Sequence, residues 1–223
     1  MNYLIVVAHP DDEVLGAGAS IKKLIANGDN VAVCTLANHA AARANISDSL
    51  EEDQKKALGI LGVVKVYSAD FPNIKMNTVP HLSLVQFIER CIEDFNAEAI
   101  ITHHPCDTNI DHQETSRAVQ AACRLFQRKP NVANLKLVLF MEVLSSTEWS
   151  LDSSSNRFSP NYYIEVGMDG MNTKIEALKA YKGVMRDYPH PRSYEAIRGL
   201  AAYRGCQAGC NYAEAFDCVF QRV

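Results

Sequence analysis

Short apolar runs alternate with amphipathic helical patterns through the first two thirds of the chain. Five runs are rich in aliphatic residues and end at polar turns, which is typical of strands buried on both faces of a sheet. These predicted strands span residues 3–8, 31–36, 63–67, 99–102 and 135–143. Predicted helices span residues 13–27, 50–61, 82–96 and 112–127. Strands that alternate with helices in this way predict an α/β, Rossmann-like fold, with a mostly parallel sheet and helices on both faces.

The last third of the chain has a less regular pattern. Residues 145–160 are polar and serine-rich, which indicates a loop or a lid, and the two prolines within 187–193 require irregular backbone. Two late strands and two helices are predicted here, the strands at 162–166, on an edge, and 215–221, and the helices at 172–185 and 194–203. Because no repeat or linker divides the sequence, we expect one domain over residues 1–223.

Composition and charge limit the partners and the cell compartment that we expect for this protein. The 223 residues carry 22 basic and 26 acidic side chains, a formal net charge of -4, which gives no electrostatic reason to expect nucleic acid or an anionic membrane as a partner. The seven cysteines are odd in number and scattered, so free thiols in a reducing compartment are expected. With neither a signal-peptide pattern nor an apolar stretch of membrane-spanning length, the sequence predicts a cytoplasmic protein.

Two dense polar clusters follow predicted strands. Residues 9–13 read His-Pro-Asp-Asp-Glu directly after the first strand, and residues 103–112 hold three histidines and two aspartates after the fourth. Ligands in such sheets bind beyond the carboxyl ends of the strands, and these two strands should be neighbours. We therefore expect both clusters to face one crevice. Acidic capping of the next helix explains Asp12 or Glu13 alone, but not the whole first cluster.

The residue types in these clusters suit a catalytic metal. His9 and Asp12 lie three residues apart in a strand-to-helix turn, and His112 can complete the set from the second cluster. Two imidazoles and one carboxylate with an open position are typical of catalytic zinc, and the same set is compatible with Fe(II). A dinucleotide site is not favoured, because Gly16 and Gly18 fall inside the predicted helix rather than in the turn before it.

The first cluster carries a resemblance to a known family. Ala8-His9-Pro10-Asp11-Asp12-Glu13 resembles the signature of the PIG-L/LmbE-like zinc-dependent N-acetyl-sugar deacetylases. The segment 107–112, with Asp107, Asn109, Asp111 and His112, resembles a second ligand segment of one branch, and segments 190–193 and 212–216 resemble late parts of the family. The resemblance implies hydrolysis of an N-acetylglucosaminyl conjugate, with His9, Asp12 and His112 as zinc ligands and Asp11 as the general base.

The second segment departs from the pattern of many family members. They carry His-Pro-Asp-His, whereas this chain has Asn109-Ile110-Asp111-His112, so the first histidine is missing. Whatever this histidine contributes must come from elsewhere or be absent, and the candidates for a second donor to the oxyanion are His190, Arg192 and His104. We favour His190, which lies in a proline-flanked segment. Asp111 either orients a histidine or caps the helix that follows.

Further residues and alternatives remain open at this stage. Arg43 and Arg192 are candidate anchors for a phosphate or for sugar hydroxyls, because arginine presents a fork of donors. The alternatives to a deacetylase are a metal-dependent phosphoesterase, which would favour a two-metal site, and a sugar-binding module without activity. The expected partner is a small sugar conjugate. The sequence does not identify its aglycone, and it leaves a homo-oligomer open.

Overall fold

The computed structural model describes residues 1–37, 50–151 and 157–223. These residues form seven strands and seven α-helices, together with short 3-10 turns at Met76–Thr78 and Thr147–Trp149. The strands are β1 (Asn2–Val7), β2 (Asn30–Thr35), β3 (Lys65–Ser68), β4 (Ala99–His103), β5 (Leu137–Met141), β6 (Tyr162–Glu165) and β7 (Ala213–Gln221). The helices are α1 (Asp12–Ala26), α2 (Leu50–Leu61), α3 (His81–Phe95), α4 (Ile110–Ala122), α5 (Leu125–Arg128), α6 (Gly167–Ala180) and α7 (Tyr194–Ala208).

The strands form one sheet in the order β3-β2-β1-β4-β5-β7-β6. Pairing is parallel from β3 to β5, whereas β7 runs antiparallel to both β5 and β6. This confirms the predicted fold class, and β6 lies at an edge as expected. Because β1 pairs directly with β4, the loops that follow these two strands lie side by side.

The sheet separates two apolar layers. Side chains of β1 alternate between them, with Tyr3, Ile5 and Val7 on one face and Leu4 and Val6 on the other. The first layer includes residues of α1, α2 and α6, and the second includes residues of α3 and α4. Burial on both faces accounts for the continuous apolar run of the first strand, because neither side of the pleat meets water.

Glycines in α1 allow two close approaches. A Cβ at Gly16 would lie 2.4 Å from the sulfur of Met141 in β5, and one at Gly18 would lie 2.9 Å from a methyl carbon of Val14 and 3.2 Å from Cγ of Lys174 in α6. These residues therefore serve packing of the helix against the sheet and against α6, which agrees with the sequence argument against a dinucleotide turn.

A buried ion pair joins α1 to α6 and β7. Lys174 Nζ donates to Glu214 Oε1 at 2.6 Å and to the carbonyl oxygen of Leu15 at 2.7 Å. The Glu214 carboxylate accepts the backbone N–H groups of Ala19 and Ser20, in the middle of α1. In an ideal helix, the Leu15 carbonyl would serve the N–H of Ala19. The ion pair thus bonds directly to the helix backbone.

Several predicted helix boundaries were wrong. Residues 112–127 form two helices, α4 and α5, rather than one. The helix predicted at 172–185 begins at Gly167 and ends at Ala180, and Gly170 near its start approaches the α1 backbone at Ala19. The helix predicted at 194–203 continues to Ala208. No helix within the described ranges is long and apolar enough to cross a membrane.

We predict that Lys174→Met lowers the free energy of unfolding by about 3–5 kcal/mol, because it leaves the Glu214 carboxylate buried without its counter-charge. Chemical denaturation measures this. Lys179→Met is the matched control on the same helix: its partner Glu176 is exposed, so the loss should stay below about 1 kcal/mol. Equal stability of the two variants would contradict a structural role for the buried pair.

Candidate active site

A cavity of about 460 Å³ opens at the carboxyl ends of β1 and β4. The loop after β1 lines it with His9, Asp11 and Asp12, and α4 with the segment before it adds His112. Arg192 lines it as well, from the segment before α7. Parallel pairing places both polar clusters at the same end of the sheet, so the structure brings His9, Asp11 and Asp12 together with His112.

Three of these side chains form a compact set of metal-ligating atoms. Ligand atoms of His9, Asp12 and His112 all lie within 4.8 Å of one another. Oδ2 of Asp12 is 3.2 Å from His9 Nδ1 and 3.2 Å from His112 Nε2. Asp12 and His112 are buried, and the cavity gives access from one side. Two imidazole nitrogens and a carboxylate oxygen around one point fit a single divalent ion with an open position.

Carboxylates hold the outer nitrogen of each imidazole. Nδ1 of His112 is 3.1 Å from Asp107 Oδ1, and Nε2 of His9 is 3.0 Å from Asp111 Oδ2. Asp107 also accepts the hydroxyl groups of Ser146 and Thr147. Such contacts fix the tautomer and direct the inner nitrogen of each ring towards Asp12.

Burial lowers the pKa values of His9 and His112, whereas the neighbouring carboxylates raise them. Burial opposes a charge on His9, but its hydrogen bonds with Asp111 and Asp12 raise its pKa to about 9. Burial also opposes a charge on His112, but the charge of Asp12 and a hydrogen bond with Asp107 raise its pKa to about 10. A metal ion requires neutral imidazoles, so its binding would displace these protons.

Asp11 occupies the cavity beside the ligand set and has an unusual backbone conformation. Its φ of 102° lies in a region that non-glycine residues rarely adopt and that costs about 1–3 kcal/mol. Its Oδ2 lies 3.3 Å from a guanidinium nitrogen of Arg192. Because the neighbouring Asp12 points to the histidines, the two consecutive aspartates serve different contacts.

The two histidines at the end of β4 lie outside the ligand set. His103 stacks on His112, with ring centroids 3.8 Å apart, and its Nε2 accepts the N–H of Ala8. Burial lowers the pKa of His103 to about 3, so the ring is neutral. His104 contacts the rings of Phe140 and Phe158 and is not among the described residues that line the cavity, although it was a candidate donor.

The structure separates the two roles that the sequence left open for Asp111. Asn109 caps α4, because its side chain accepts the N–H of Asp111 at 2.9 Å. The Asp111 carboxylate contacts His9 and accepts the N–H of Met76 at 3.0 Å. Asp111 therefore orients a histidine, while the residue at the missing histidine's position serves as the helix cap.

The proline-flanked segment places Arg192, and not His190, in the cavity. Nε of Arg192 donates to Ser145 Oγ at 2.8 Å, and the guanidinium reaches Asp11. His190 is not among the described lining residues, and its Nδ1 accepts the backbone N–H of Arg192 at 3.0 Å. Within the part of the chain that the structure describes, His190 therefore makes no contact that supports a role as oxyanion donor. Arg43, the other predicted substrate anchor, lies outside the described residues.

Sequence reasoning missed contributors that surround the predicted set. Asp107 stood in the same polar cluster, and its spacing from His112 was the available signal. Ser146 and Thr147 gave no signal beyond their place in a serine-rich loop. Tyr181, whose hydroxyl bonds to Glu13, is distant in sequence and lay in a predicted helix.

Comparisons with known proteins find two relatives that are named as deacetylases. The chain is 28% identical over 187 residues to the uncharacterized deacetylase YaiS of Escherichia coli K12, which covers 80% of this chain and 89% of that protein. It is 23% identical over 223 residues to the diacetylchitobiose deacetylase of Thermococcus kodakarensis, with 95% of this chain and 80% of that protein covered.

Similarity of fold extends to a protein with a different chemistry. The crystal structure of GalB, the 4-carboxy-2-hydroxymuconate hydratase of Pseudomonas putida KT2440, matches with a TM-score of 0.79 and 20% identity, covering 100% of this chain and 97% of that one. The fold therefore does not decide the reaction. The family model described as PIG-L, GlcNAc-PI de-N-acetylase, matches residues 4–123, more than half of the 223 residues, and the chain belongs to the PIG-L family.

Proposed function

We propose that this protein is a metal-dependent amide hydrolase that removes the acetyl group from an N-acetylated amino sugar. The observation that carries the proposal is the juxtaposition of His9, Asp12 and His112 with the separate carboxylate of Asp11 in one cavity. Membership of the PIG-L family and the two relatives named as deacetylases support hydrolysis of an N-acetyl group.

The donor set supports zinc as the metal. His9, Asp12 and His112 would hold it through two nitrogens and one oxygen, a set that is common for catalytic zinc and that Fe(II) also accepts. When bound, zinc supplies Lewis-acid chemistry, which polarises an acyl oxygen and lowers the pKa of water to about 7. Asp107 and Asp111 keep the two imidazoles in the orientation that this requires.

Asp11 is the group that we assign to proton transfer. It lines the cavity next to the set formed by His9, Asp12 and His112 and is not one of its members, so its carboxylate can take a proton from the attacking water. It can then deliver that proton to the departing nitrogen, because an amine leaves readily only when it is protonated.

Arg192 is the better candidate for the second donor to the oxyanion. It is the only lysine or arginine among the described residues that line the cavity, and contacts with Ser145 and Asp11 hold its guanidinium. A fixed cation at this place supplies the stabilisation that the missing histidine would give. His104 and His190 show no contact with the cavity among the described residues.

The cavity supports a sugar as the substrate. Its polar lining includes Asn73, Thr108, Asn109 and Ser145, which offer hydroxyl and amide groups for sugar hydroxyls, while Ile74 adds apolar surface. A volume of about 460 Å³ is within the usual range for a small-molecule site.

The function is tested by measuring acetate release from a panel of N-acetylglucosamine conjugates that differ in their aglycone. We expect release that a chelator abolishes and added Zn²⁺ restores, because the proposed site holds the metal through only three side chains. A phosphate monoester and an unsaturated dicarboxylate complete the panel. Phosphate release or hydration without acetate release would contradict the proposal and favour a phosphoesterase or a hydratase.

Asp11→Asn is predicted to retain zinc and to lower kcat by about 10²–10⁴-fold, the usual contribution of general acid–base catalysis. Asparagine adopts positive φ as readily as aspartate, so this change removes the charge without disturbing the backbone. Elemental analysis and steady-state kinetics report the two quantities. His9→Ala is the contrasting variant, because it should lose both metal and activity. Near-normal turnover of Asp11→Asn would remove Asp11 from the mechanism.

The two candidate donors are separated by Arg192→Met and His190→Ala. We expect Arg192→Met to lower kcat by about a hundredfold with zinc retained, as for the loss of one oxyanion donor. His190→Ala should stay within about threefold of the wild type, since a residue outside the cavity contributes little to the transition state. The reverse pattern would restore His190 as the donor.

A further inference from the structure

A buried pair, Glu13 and Tyr181, lies behind the proposed base. Glu13 is fully buried in the first turn of α1, and Tyr181 directly follows α6. The Tyr181 hydroxyl donates to Glu13 Oε1, and Glu13 Oε2 accepts the backbone N–H of Asp11 at 3.1 Å. Both carboxylate oxygens of Glu13 are thus engaged, one by a neighbouring residue and one by a residue 168 positions away.

The contact on Asp11 acts on a backbone conformation that is unfavourable by itself. A non-glycine residue at a φ of 102° keeps that conformation only where its surroundings impose it. The hydrogen bond from Asp11 N to Glu13 fixes the peptide unit that carries this torsion. A relaxed backbone there would redirect the Asp11 side chain, whereas Asp12 is held separately by its contacts with His9 and His112.

We propose that Glu13 and Tyr181 are positioning residues, which hold the backbone of Asp11 so that its carboxylate faces the reacting atoms. The proposal rests on the proposed function of Asp11 as the base. Neither residue lines the cavity among the described residues, so both act through Asp11. Arg192 restrains the Asp11 carboxylate, while Glu13 and Tyr181 restrain its main chain.

The docking of α6 decides whether Tyr181 can reach Glu13. Lys174 on this helix bonds to the α1 backbone and to Glu214 in β7, which fixes α6 against α1 about two turns before Tyr181. Tyr181 is almost completely buried, so its hydroxyl has no solvent to replace Glu13. The region beyond the family match at residues 4–123 therefore sets the position of a group inside it.

The test is a series of variants measured for kcat, KM, zinc content and thermal stability on the deacetylation substrate. Glu13→Ala removes the acceptor for Asp11 N and should lower kcat by about a hundredfold, the order expected for a misplaced catalytic group. Tyr181→Phe should lower kcat by about tenfold, the low end for groups that orient others. KM and zinc content should remain near the wild-type values in both.

Rescue by a conservative change separates positioning from charge. In Glu13→Gln, the amide oxygen can accept Asp11 N–H while the amide NH₂ donates to a reversed Tyr181 hydroxyl, so kcat should recover to within about fivefold of the wild type. The double variant Glu13→Gln/Tyr181→Phe lacks the hydroxyl oxygen that would accept the glutamine NH₂ group. Its kcat should therefore no longer recover. Tyr3→Phe is the matched control, because Tyr3 is a buried tyrosine of β1 that lies outside the cavity lining, and its kcat should not change.

Two results would overturn the proposal. One is an unchanged kcat in Tyr181→Phe and Glu13→Ala. The other is a loss of activity that is fully explained by lost zinc or by a lowered melting temperature, with the Tyr3→Phe control losing activity to the same extent. A crystal structure of Glu13→Ala, or of Tyr181→Phe where the alanine variant does not fold, gives a readout without turnover: Asp11 should leave its positive φ. If the wild type releases no acetate, the proposed function fails, while this structure still decides the positioning role.

Discussion

The carboxylate of Asp12, buried between His9 and His112, is the contact on which the site depends. Burial opposes its charge, but the two histidines hold its pKa well below the usual range. A charge in that position persists only with partners of opposite charge or a metal. The loop after β1 and the helix α4 are therefore tied together, and every other side chain of the site is arranged around that link.

Carboxylates and imidazoles alternate in the contacts that lead outwards from Asp12. Asp107 supports His112 and is in turn held by the hydroxyl groups of Ser146 and Thr147. Asp111 supports His9 and is held by the backbone N–H of Met76. Each buried charge thus has a partner, so the network keeps its geometry in a region of low dielectric. Loops that follow β3, β4 and β5 thus converge on this network of carboxylates and imidazoles.

Residues from the C-terminal part of the chain also position Asp11. Tyr181 acts on Asp11 through Glu13, and Arg192 contacts the Asp11 carboxylate. The ion pair of Lys174 and Glu214 fixes α6, and so connects the stability of the fold with the placement of the proposed base. The site is thus assembled from both ends of the sequence, and the strain at Asp11 is maintained by contacts on either side of it.

The sequence by itself determined the α/β architecture and the place of the site. Apolar runs of strand length and helical periodicity are local properties, and β1 paired with β4 as the topology required. The residues 9–13 and 107–112 also identified the family by themselves. Helix ends were less predictable: α6 begins at Gly167 and carries Gly170, which approaches the backbone of α1, although glycine is a poor helix former by local propensity.

Only the tertiary structure decided which contacts each of these side chains makes. It assigned the helix cap to Asn109 and the contact with His9 to Asp111, and it placed Arg192, not His190, in the cavity. It also joined Glu13 to Tyr181. These contacts link residues up to 181 positions apart, such as Arg192 and Asp11. The spacing along a chain carries no information about such distances, because they depend on how helices and loops pack after the sheet has formed.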